Sequence, residues 1–511
     1  MMKPDILVFM SDQHGGKFMT HAGDDLVRTP NLDRIAENGV SFTNAYTSCP
    51  LCVPARLSFL TGQLPARSKI YNNNQALPRD QATFLHSLVA EGYETVLCGR
   101  MHFLGPDQRH GFSKRIFGDM TPTKWNSMNR SFRDNRGPKQ ALAGIDPFAS
   151  AHSGKGFSAV LEYDRLVIDA ALAYLKEDHE KPQCIVIGTF GPHSPYIAPP
   201  DLYDYYREKI DLPRSMKTDL NFDTIQTRAF VAMEKKCYQV YHPEKEISEA
   251  EILSTRAAYL GMIEYQDQLI GEIKGAWDSF LQNHNREGLF VYTSDHGQQN
   301  GEKGFFGKVN FFEESACIPF IFEGDGIKQH TQINSPASLM DIAPTLCEIT
   351  GSQAPPGQDG QSLTGAIQNG REDCAREVLS DIFPIQKGYK FLKEAFAELD
   401  LEKVAVPGRM LRSGKWKYIH YYGNDEDDLL FDLENDPHEQ SNALANNPSV
   451  AKELKERLCD GWDPEGIMSH LEENSKSMAL IDGYGVSLNL TEEDNGEFWF
   501  SKNTDKFDCV Q

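Results

Sequence analysis

Short apolar runs alternate along this chain with stretches in which apolar residues recur at helical spacing. The predicted strands are residues 6–10, 184–189, 289–293 and 318–322. The predicted helices are residues 30–38, 83–91, 163–176 and about 248–281. This alternation is typical of an α/β fold, in which a large, mainly parallel sheet lies between layers of helices.

The pattern changes near residue 400. Residues 410–422 are strand-like, an acidic turn follows at 425–428, and a helix is predicted at about 450–458, ahead of a polar tail. We therefore predict a large α/β domain at residues 1–400 and a smaller α+β domain at residues 401–511. Antiparallel strands, a helix and an acidic polar tail make up the second domain.

Two long stretches, residues 113–155 and 199–246, have no clear pattern. Segments of that length without secondary structure are usually functional loops. We therefore expect ligand recognition there, through the aromatic and cationic side chains of Trp125, Arg130, Tyr203, Tyr205 and Tyr206.

The chain of 511 residues is acidic, with 51 Lys+Arg, 74 Asp+Glu and a formal net charge of −23. Residues 401–511 contain 11 Lys+Arg and 23 Asp+Glu, so the last fifth of the chain carries over half of the net charge. An acidic chain is a poor candidate for non-specific binding to nucleic acid or to an anionic membrane. We expect neither partner.

The cysteines and the apolar runs bear on the compartment. Ten cysteines are scattered from Cys49 to Cys509, too few for a disulfide scaffold and consistent with a reducing compartment. The first residues lack the apolar stretch of a secretory signal, and the sequence has no apolar run of about 18 residues that could span a bilayer. We therefore expect a cytoplasmic protein.

Polar side chains follow three of the predicted strands. Asp12 and Gln13 come after the first strand, His193 after the second, and Asp295 and His296 after the third. Ligands of open α/β sheets gather outside the carboxyl ends of the strands. Carboxylates, an amide oxygen and an imidazole at one edge predict a site for a divalent cation.

The segment 52–62, CVPARLSFLTG, resembles the signature of the type I sulfatases of the alkaline-phosphatase-like superfamily. In that family the cysteine is oxidised to formylglycine, whose hydrate is the nucleophile. Further matches follow in the family's order: residues 12–13, 99–102, 191–195, 294–297, 307–308, 341–345, 359–363 and 429–442. Residues 98–112 and 461–465 look most like the choline-sulfatase branch, although Arg100 stands where the family usually has lysine.

The resemblance implies an alkaline-phosphatase-like fold and a metal bound at a hydrated formylglycine. The implied ligands are Asp12, Gln13, Asp295, His296 and the modified Cys52. Hard oxygen ligands favour Ca²⁺, while one imidazole leaves Mg²⁺ and Mn²⁺ open.

The resemblance also implies roles for five further residues. Arg56, Arg100 and Lys308 would neutralise the sulfate and hold the hydrate, aided by the helix that opens just after Pro54. His102 would take the proton of the second hydroxyl, which lets the sulfated intermediate collapse. His193 would be the general acid toward the leaving oxygen.

The implied function is that of a sulfuric ester hydrolase, arylsulfatase-like, that releases an alcohol and sulfate. Aryl, steroid, sugar and choline sulfates stay open as substrates, and the acidic surface favours small esters over densely sulfated polymers. A phosphonate monoester or phosphodiester hydrolase with the same site is one alternative. A binding or scaffolding protein in which Cys52 remains a thiol is the other.

Two protein partners also come into consideration. The resemblance implies a formylglycine-generating maturation enzyme, which would act on Cys52. A homo-oligomer is left open by the sequence.

Overall fold

In the computed structural model, the residues that can be described are 3–105, 107–120, 153–217, 220–241, 245–384 and 399–487. The strands are β1 Asp5–Asp12, β2 Val40–Phe42, β3 Ala45–Tyr46, β4 Glu94–Gly99, β5 Lys114–Phe117, β6 Ser153–Lys155, β7 Gln183–Pro192, β8 Tyr196–Ala198, β9 Gly288–Ser294, β10 Phe320–Gly324, β11 Thr331–Ile333, β12 Ala337–Ser338, β13 Glu377–Ile382, β14 Gly408–Ser413, β15 Trp416–Tyr421 and β16 Leu429–Asp432.

The α-helices are α1 Pro30–Glu37, α2 Cys52–Thr61, α3 Pro65–Ser68, α4 Phe84–Ala90, α5 Ala159–Tyr174, α6 Pro200–Arg207, α7 Ile225–Tyr241, α8 Glu249–His284, α9 Glu313–Ala316, α10 Ile342–Thr350, α11 Thr364–Asn369, α12 Leu401–Val404, α13 Pro448–Cys459 and α14 Pro464–Ser487.

Eight strands form the main sheet, in the order β11-β2-β10-β9-β1-β7-β4-β5. The five from β9 to β5 are parallel, and β10 runs antiparallel to both of its neighbours. At the centre, Val8 of β1 pairs with Val186 of β7 and Val291 of β9. The predicted α/β class with a mainly parallel sheet is confirmed.

Side chains of β1 alternate between two buried faces of this sheet. Ile6 and Val8 pack with residues of α2, α4 and α10 on one face, and Leu7 and Phe9 pack with residues of α1, α5 and α8 on the other. Every residue of β1 is buried. A parallel sheet covered by helices on both faces explains why its strands are continuously apolar in the sequence.

A second sheet of four antiparallel strands, β13-β14-β15-β16, follows the main sheet. The small C-terminal unit with antiparallel strands is thus confirmed. Its first strand, β13, precedes residue 400, and the position of the domain boundary stays a prediction. Residues 464–487, predicted as part of a polar tail, form helix α14, on which Ile467 packs against Tyr71 and Phe383.

The prediction that residues 199–246 lack secondary structure is wrong. They contain α6 and α7, and α6 starts with a proline in its first turn, where that residue is well tolerated. Tyr206 is buried and donates to Glu264 on α8 at 2.6 Å, while Arg28 lies over the Tyr205 ring at 3.7 Å. These aromatic side chains therefore pack α6 in place.

The other unpatterned stretch, residues 113–155, contains β5 and β6 at its ends. Trp125 and Arg130, the candidates for ligand recognition in it, lie outside the described residues. Strand β10 begins two residues later than predicted, and the predicted strands at 6–10, 184–189 and 289–293 lie within β1, β7 and β9.

Candidate active site

The carboxyl ends of β1, β4, β7 and β9 meet at one edge of the main sheet, because these strands are parallel neighbours. This edge carries the residues that the sequence singled out after strands. The structure joins all ten predicted site residues through contacts there: Asp12, Gln13, Cys52, Arg56, Arg100, His102, His193, Asp295, His296 and Lys308.

Cys52 is the first residue of α2 and is 1% exposed. The helix thus begins at the cysteine itself rather than after Pro54, so its positive end lies at Sγ. Lys308 Nζ lies 3.1 Å from this sulfur and His296 Nε2 lies 3.3 Å from it. Burial opposes ionisation of the thiol, but Lys308 and His296, together with the nearby His102 and His193, hold its pKa well below the usual range.

Two buried guanidinium groups hold the carboxylates of the site. Arg56 donates from Nε to Asp295 Oδ2 at 2.8 Å, from Nη2 to Asp12 Oδ2 at 3.1 Å and from Nη1 to the Arg100 carbonyl at 3.0 Å. Arg100 donates from Nε to the same Asp12 oxygen at 2.6 Å. Burial raises the pKa of Asp12, but Arg100 and its cationic neighbours bring it far below the usual value.

The ligand atoms of Asp12, Cys52, Asp295 and His296 all lie within 4.8 Å of one another, and we call these four residues the ligand cluster. His296 Nε2 is 3.8 Å from Asp12 Oδ1 and 3.5 Å from Asp295 Oδ1. Both carboxylates meet arginine through Oδ2, so each turns Oδ1 toward the imidazole. Buried carboxylate oxygens beside an imidazole and a sulfur form a donor set that fits a divalent cation.

The side-chain amide of Gln13 is oriented by two residues that the sequence analysis missed. Gln13 Nε2 donates to the Tyr196 hydroxyl at 2.9 Å and to Gln298 Oε1 at 3.1 Å. Its oxygen therefore faces Lys308, whose Nζ donates to it at 2.7 Å. Gln13, which directly follows the last residue of β1, thus contacts the same Lys308 ammonium group that lies next to Cys52 Sγ.

Asp119 is a third residue without a signal in the sequence. Its Oδ2 accepts from the backbone N–H of His102 at 2.8 Å and of Met101 at 3.2 Å, and this fixes His102 at φ 58°. Arg100 Nη2 lies 3.0 Å from His102 Nδ1. Because a guanidinium only donates, Nδ1 accepts, and the neutral ring carries its proton on Nε2.

His193 has the opposite ring arrangement. Its Nδ1 lies 2.8 Å from the Ser194 carbonyl oxygen, which only accepts, so Nδ1 carries a proton. The turn that leads to it is held by Asp164, which accepts from the N–H groups of Phe190 at 2.7 Å and Gly191 at 2.8 Å. The Nε2 atom of His193 is therefore left for the site.

A sequence model of the Sulfatase family matches residues 4–352, and one for the C-terminal part of N-sulphoglucosamine sulphohydrolase matches residues 301–462. The choline-sulfatase of Rhizobium meliloti (strain 1021) is 31% identical over 494 residues, which are 92% of this chain and 89% of that protein. The site brings together residues that could hold a metal ion at the edge of the main sheet. The chain belongs to the sulfatase family, and it is an enzyme that hydrolyses sulfate esters.

Two solved structures share the fold. The phosphonate monoester hydrolase of Agrobacterium radiobacter superposes with a TM-score of 0.68 at 21% identity, covering 89% of this chain and 95% of that one. A 2-O GAG sulfatase superposes with a TM-score of 0.67 at 22% identity, covering 93% of each chain. Both confirm the architecture.

Two further observations concern membrane-spanning helices and the state of the cysteines. Among the described helices, none is long and apolar enough to cross a membrane. The eight cysteines whose state is described are free thiols, and Cys49 and Cys52 are both buried. The family implies a metal ion and a formylglycine derived from cysteine, and the ligand cluster supplies residues for both.

Proposed function

We propose that this sulfatase cleaves a small sulfate ester to an alcohol and sulfate, with Cys52 converted to formylglycine and a divalent cation, Ca²⁺ as the first choice, in the ligand cluster. The observation that carries the proposal is the buried Cys52 sulfur, 3.1 Å from Lys308 Nζ and 3.3 Å from His296 Nε2. When present, the formylglycine hydrate supplies the nucleophile and the cation polarises a sulfate oxygen.

The cationic residues then divide into two roles. Arg56 uses Nε, Nη1 and Nη2 on carboxylates and a carbonyl, so we assign it to orienting Asp12 and Asp295. Lys308 lies next to the sulfur and faces the place of the sulfate, and the first turn of α2 adds the positive end of a helix there. Together they neutralise an anion within an acidic protein.

The histidines divide the proton transfers. His193 uses Nδ1 on the Ser194 carbonyl, so Nε2 is the atom by which it is the proposed general acid toward the leaving oxygen. His102 starts as a donor from Nε2, because Arg100 occupies Nδ1. We therefore propose that His102 first orients the hydroxyl at residue 52, and its predicted role as base requires Arg100 to release the ring.

The close packing of the site supports a small substrate. In the described structure the exposed fraction is 1% for Cys52, 3% for Lys308 and 9% for His193. The 31% identity to a choline-sulfatase supports a small ester in the same way, while aryl, steroid and sugar sulfates stay open. A cytoplasmic location, a maturation enzyme and a homo-oligomer stay predictions.

Parallel kinetics on an aryl sulfate and an aryl phosphonate monoester test the proposal, on enzyme whose Cys52 peptide shows formylglycine by mass spectrometry. We expect the sulfate to have the higher kcat/KM by orders of magnitude. The Cys52→Ala variant is expected to fold and to lose about 10⁴-fold or more in kcat, since the nucleophile is removed.

Three results would contradict the proposal. A phosphonate preference would favour the alternative hydrolase with the same site. Wild-type rates in Cys52→Ala would exclude this residue as nucleophile. An unmodified Cys52 peptide from the native host would favour the binding protein.

A further inference from the structure

Helix α9 has four residues and lies directly behind the site. Its Ser315 carbonyl accepts from the Gly297 N–H at 2.8 Å, and its Glu314 carbonyl accepts from the Gln298 N–H at 2.7 Å. These two bonds hold the backbone at Gly297 and Gln298, which directly follow the ligand candidates Asp295 and His296. A Cβ on Gly297 would lie 2.1 Å from the Glu314 carbonyl oxygen, so only glycine permits this approach.

The end of α9 holds two more segments of the site. The Cys317 carbonyl accepts from the Gly16 N–H at 2.9 Å, and Gly16 follows the ligand candidates of β1. The Ala316 carbonyl accepts from the Thr47 N–H at 2.9 Å, and the Thr47 hydroxyl donates to the Asp295 carbonyl at 2.6 Å. Three segments that carry the ligand cluster or lead to its cysteine therefore meet at one short helix.

Buried charges from the small sheet reach α9. Lys417 on β15 is 0% exposed, and its Nζ lies 3.0 Å from Glu313 Oε1 and 2.8 Å from Glu439 Oε1. Glu439 Oε2 accepts from the Glu313 N–H at 2.6 Å, and Lys17 Nζ lies 3.4 Å from Glu313 Oε2. Two ammonium groups thus balance two carboxylates, and we call these four residues the Lys417 cluster.

We propose that Lys417 is a positioning residue for the active site, acting through Glu313, Glu439 and α9. A helix of four residues has little stability of its own, so its place depends on such contacts. Loss of one partner of a buried ion group leaves an uncompensated charge, which favours a rearrangement of α9. The inference rests on the proposed metal site and adds that the small sheet fixes its geometry.

The test measures Ca²⁺ binding by calorimetry and kcat and KM on a sulfate ester, well below the unfolding temperature of every variant. The double variant Lys417→Met, Glu439→Gln keeps the cluster neutral, and Lys417→Arg keeps its charge but changes its geometry. We expect both to bind Ca²⁺ about tenfold to 100-fold more weakly and to lose kcat, as changes behind metal ligands typically do.

Asp428→Asn is the matched control, since Asp428 is a buried carboxylate of the same sheet, hydrogen-bonded to His420 at 2.6 Å and remote from α9 in its contacts. It is expected to lower the unfolding temperature and leave Ca²⁺ affinity unchanged.

Wild-type Ca²⁺ affinity and kcat in either folded Lys417 variant would overturn the positioning role. Equal weakening in Asp428→Asn would also overturn it, because loss of stability alone would then suffice. A wild-type enzyme that binds neither Ca²⁺, Mg²⁺ nor Mn²⁺ would contradict the proposed function instead.

Discussion

Two places in the described structure bring carboxylates and an imidazole together, and they differ in what fills the space between them. One is the ligand cluster at the edge of the main sheet, where all four residues are buried. The other is formed by His420, Asp425 and Asp428 in the small sheet, where Asp425 is exposed.

The group in the small sheet already contains its cation. Lys455 Nζ lies 2.9 Å from Asp428 Oδ2 and 3.0 Å from Asp425 Oδ1. Tyr418 donates to Asp428 Oδ2 at 2.6 Å, and His420 Nδ1 lies 2.6 Å from Asp428 Oδ1. Both oxygens of the buried carboxylate are therefore satisfied by the protein.

The ligand cluster is arranged differently. Arg56 and Arg100 bind the Oδ2 atoms of the carboxylates, and both Oδ1 atoms lie toward His296 Nε2. Asp295 Oδ1 also accepts from the backbone N–H groups of Gln13 at 3.0 Å and His296 at 2.9 Å. The difference lies in how close the lysine comes: Lys455 Nζ is 2.9–3.0 Å from its two carboxylates, whereas Lys308 Nζ is 3.9 Å from Asp12 Oδ1 in the ligand cluster. It predicts one tightly bound divalent cation for each chain.

Of the substitutions that test this difference, Asp295→Asn is expected to have the largest effect on stability and on metal binding. The amide nitrogen cannot accept from Arg56 Nε, so a fully buried guanidinium loses one of its carboxylates. We expect a loss of about 3 kcal/mol in the free energy of unfolding without metal, and loss of equimolar Ca²⁺ binding. Denaturant unfolding and metal analysis by mass spectrometry check this, and a variant that still binds one equivalent tightly would break the comparison.

Asp164 offers a contrast to the carboxylates of the ligand cluster, because its hydrogen bonds come from neutral groups. It accepts from two backbone N–H groups and from Gln266 Nε2 at 2.6 Å, and burial raises its pKa to about 7. The folded chain therefore retains a proton that the unfolded chain loses near its usual value of 3.8. Its contribution to stability falls as pH rises from about 4 to about 7.

The Asp164→Asn variant lacks this titration. We expect its free energy of unfolding, measured by denaturant at several pH values in that window, to fall less steeply with pH than that of the wild type. Parallel curves for the two proteins would show that Asp164 is ionised throughout.

Asp425→Asn is expected to have the smallest effect on stability and on metal binding. The Asp425 side chain is 76% exposed and its partner Lys455 keeps Asp428. We expect a change of at most about 0.5 kcal/mol in the free energy of unfolding and an unchanged Ca²⁺ stoichiometry. Calorimetric titration checks the stoichiometry, and a lost equivalent of Ca²⁺ would mean that the small sheet binds a cation after all.

The sheet and the residues at its edge could be predicted because their signals are local. An apolar run followed at once by Asp12, or by Asp295 and His296, places those side chains at the carboxyl edge of parallel strands. The motif around Cys52 also lies within one segment. Their roles in catalysis stay predictions, which the variants above test.

Residues that act across long sequence separations gave no such signal. Tyr196 meets Gln13 across 183 positions, and Lys417 meets Glu313 across 104. Asp119 accepts from the backbone N–H groups of Met101 and His102 and lies 3.7 Å from Arg100 Nη1, contacts that no spacing rule predicts. Helix α6 was missed because adjacent prolines precede an aromatic-rich run, a pattern that looks like a loop until Leu202 and Tyr206 are seen to be buried.

The depth of Cys52 imposes an order of events in time. Cys52 is 1% exposed in the folded chain, so another enzyme would have to engage the segment around it before that chain has folded. The segments that pack behind the site include Lys417 and Glu439, which are synthesised late. At about 5–20 residues per second, a ribosome needs roughly 20–80 s to proceed from codon 52 to codon 439. We expect the proposed maturation of Cys52 to fall in that interval, so that slower translation would raise the fraction of active enzyme.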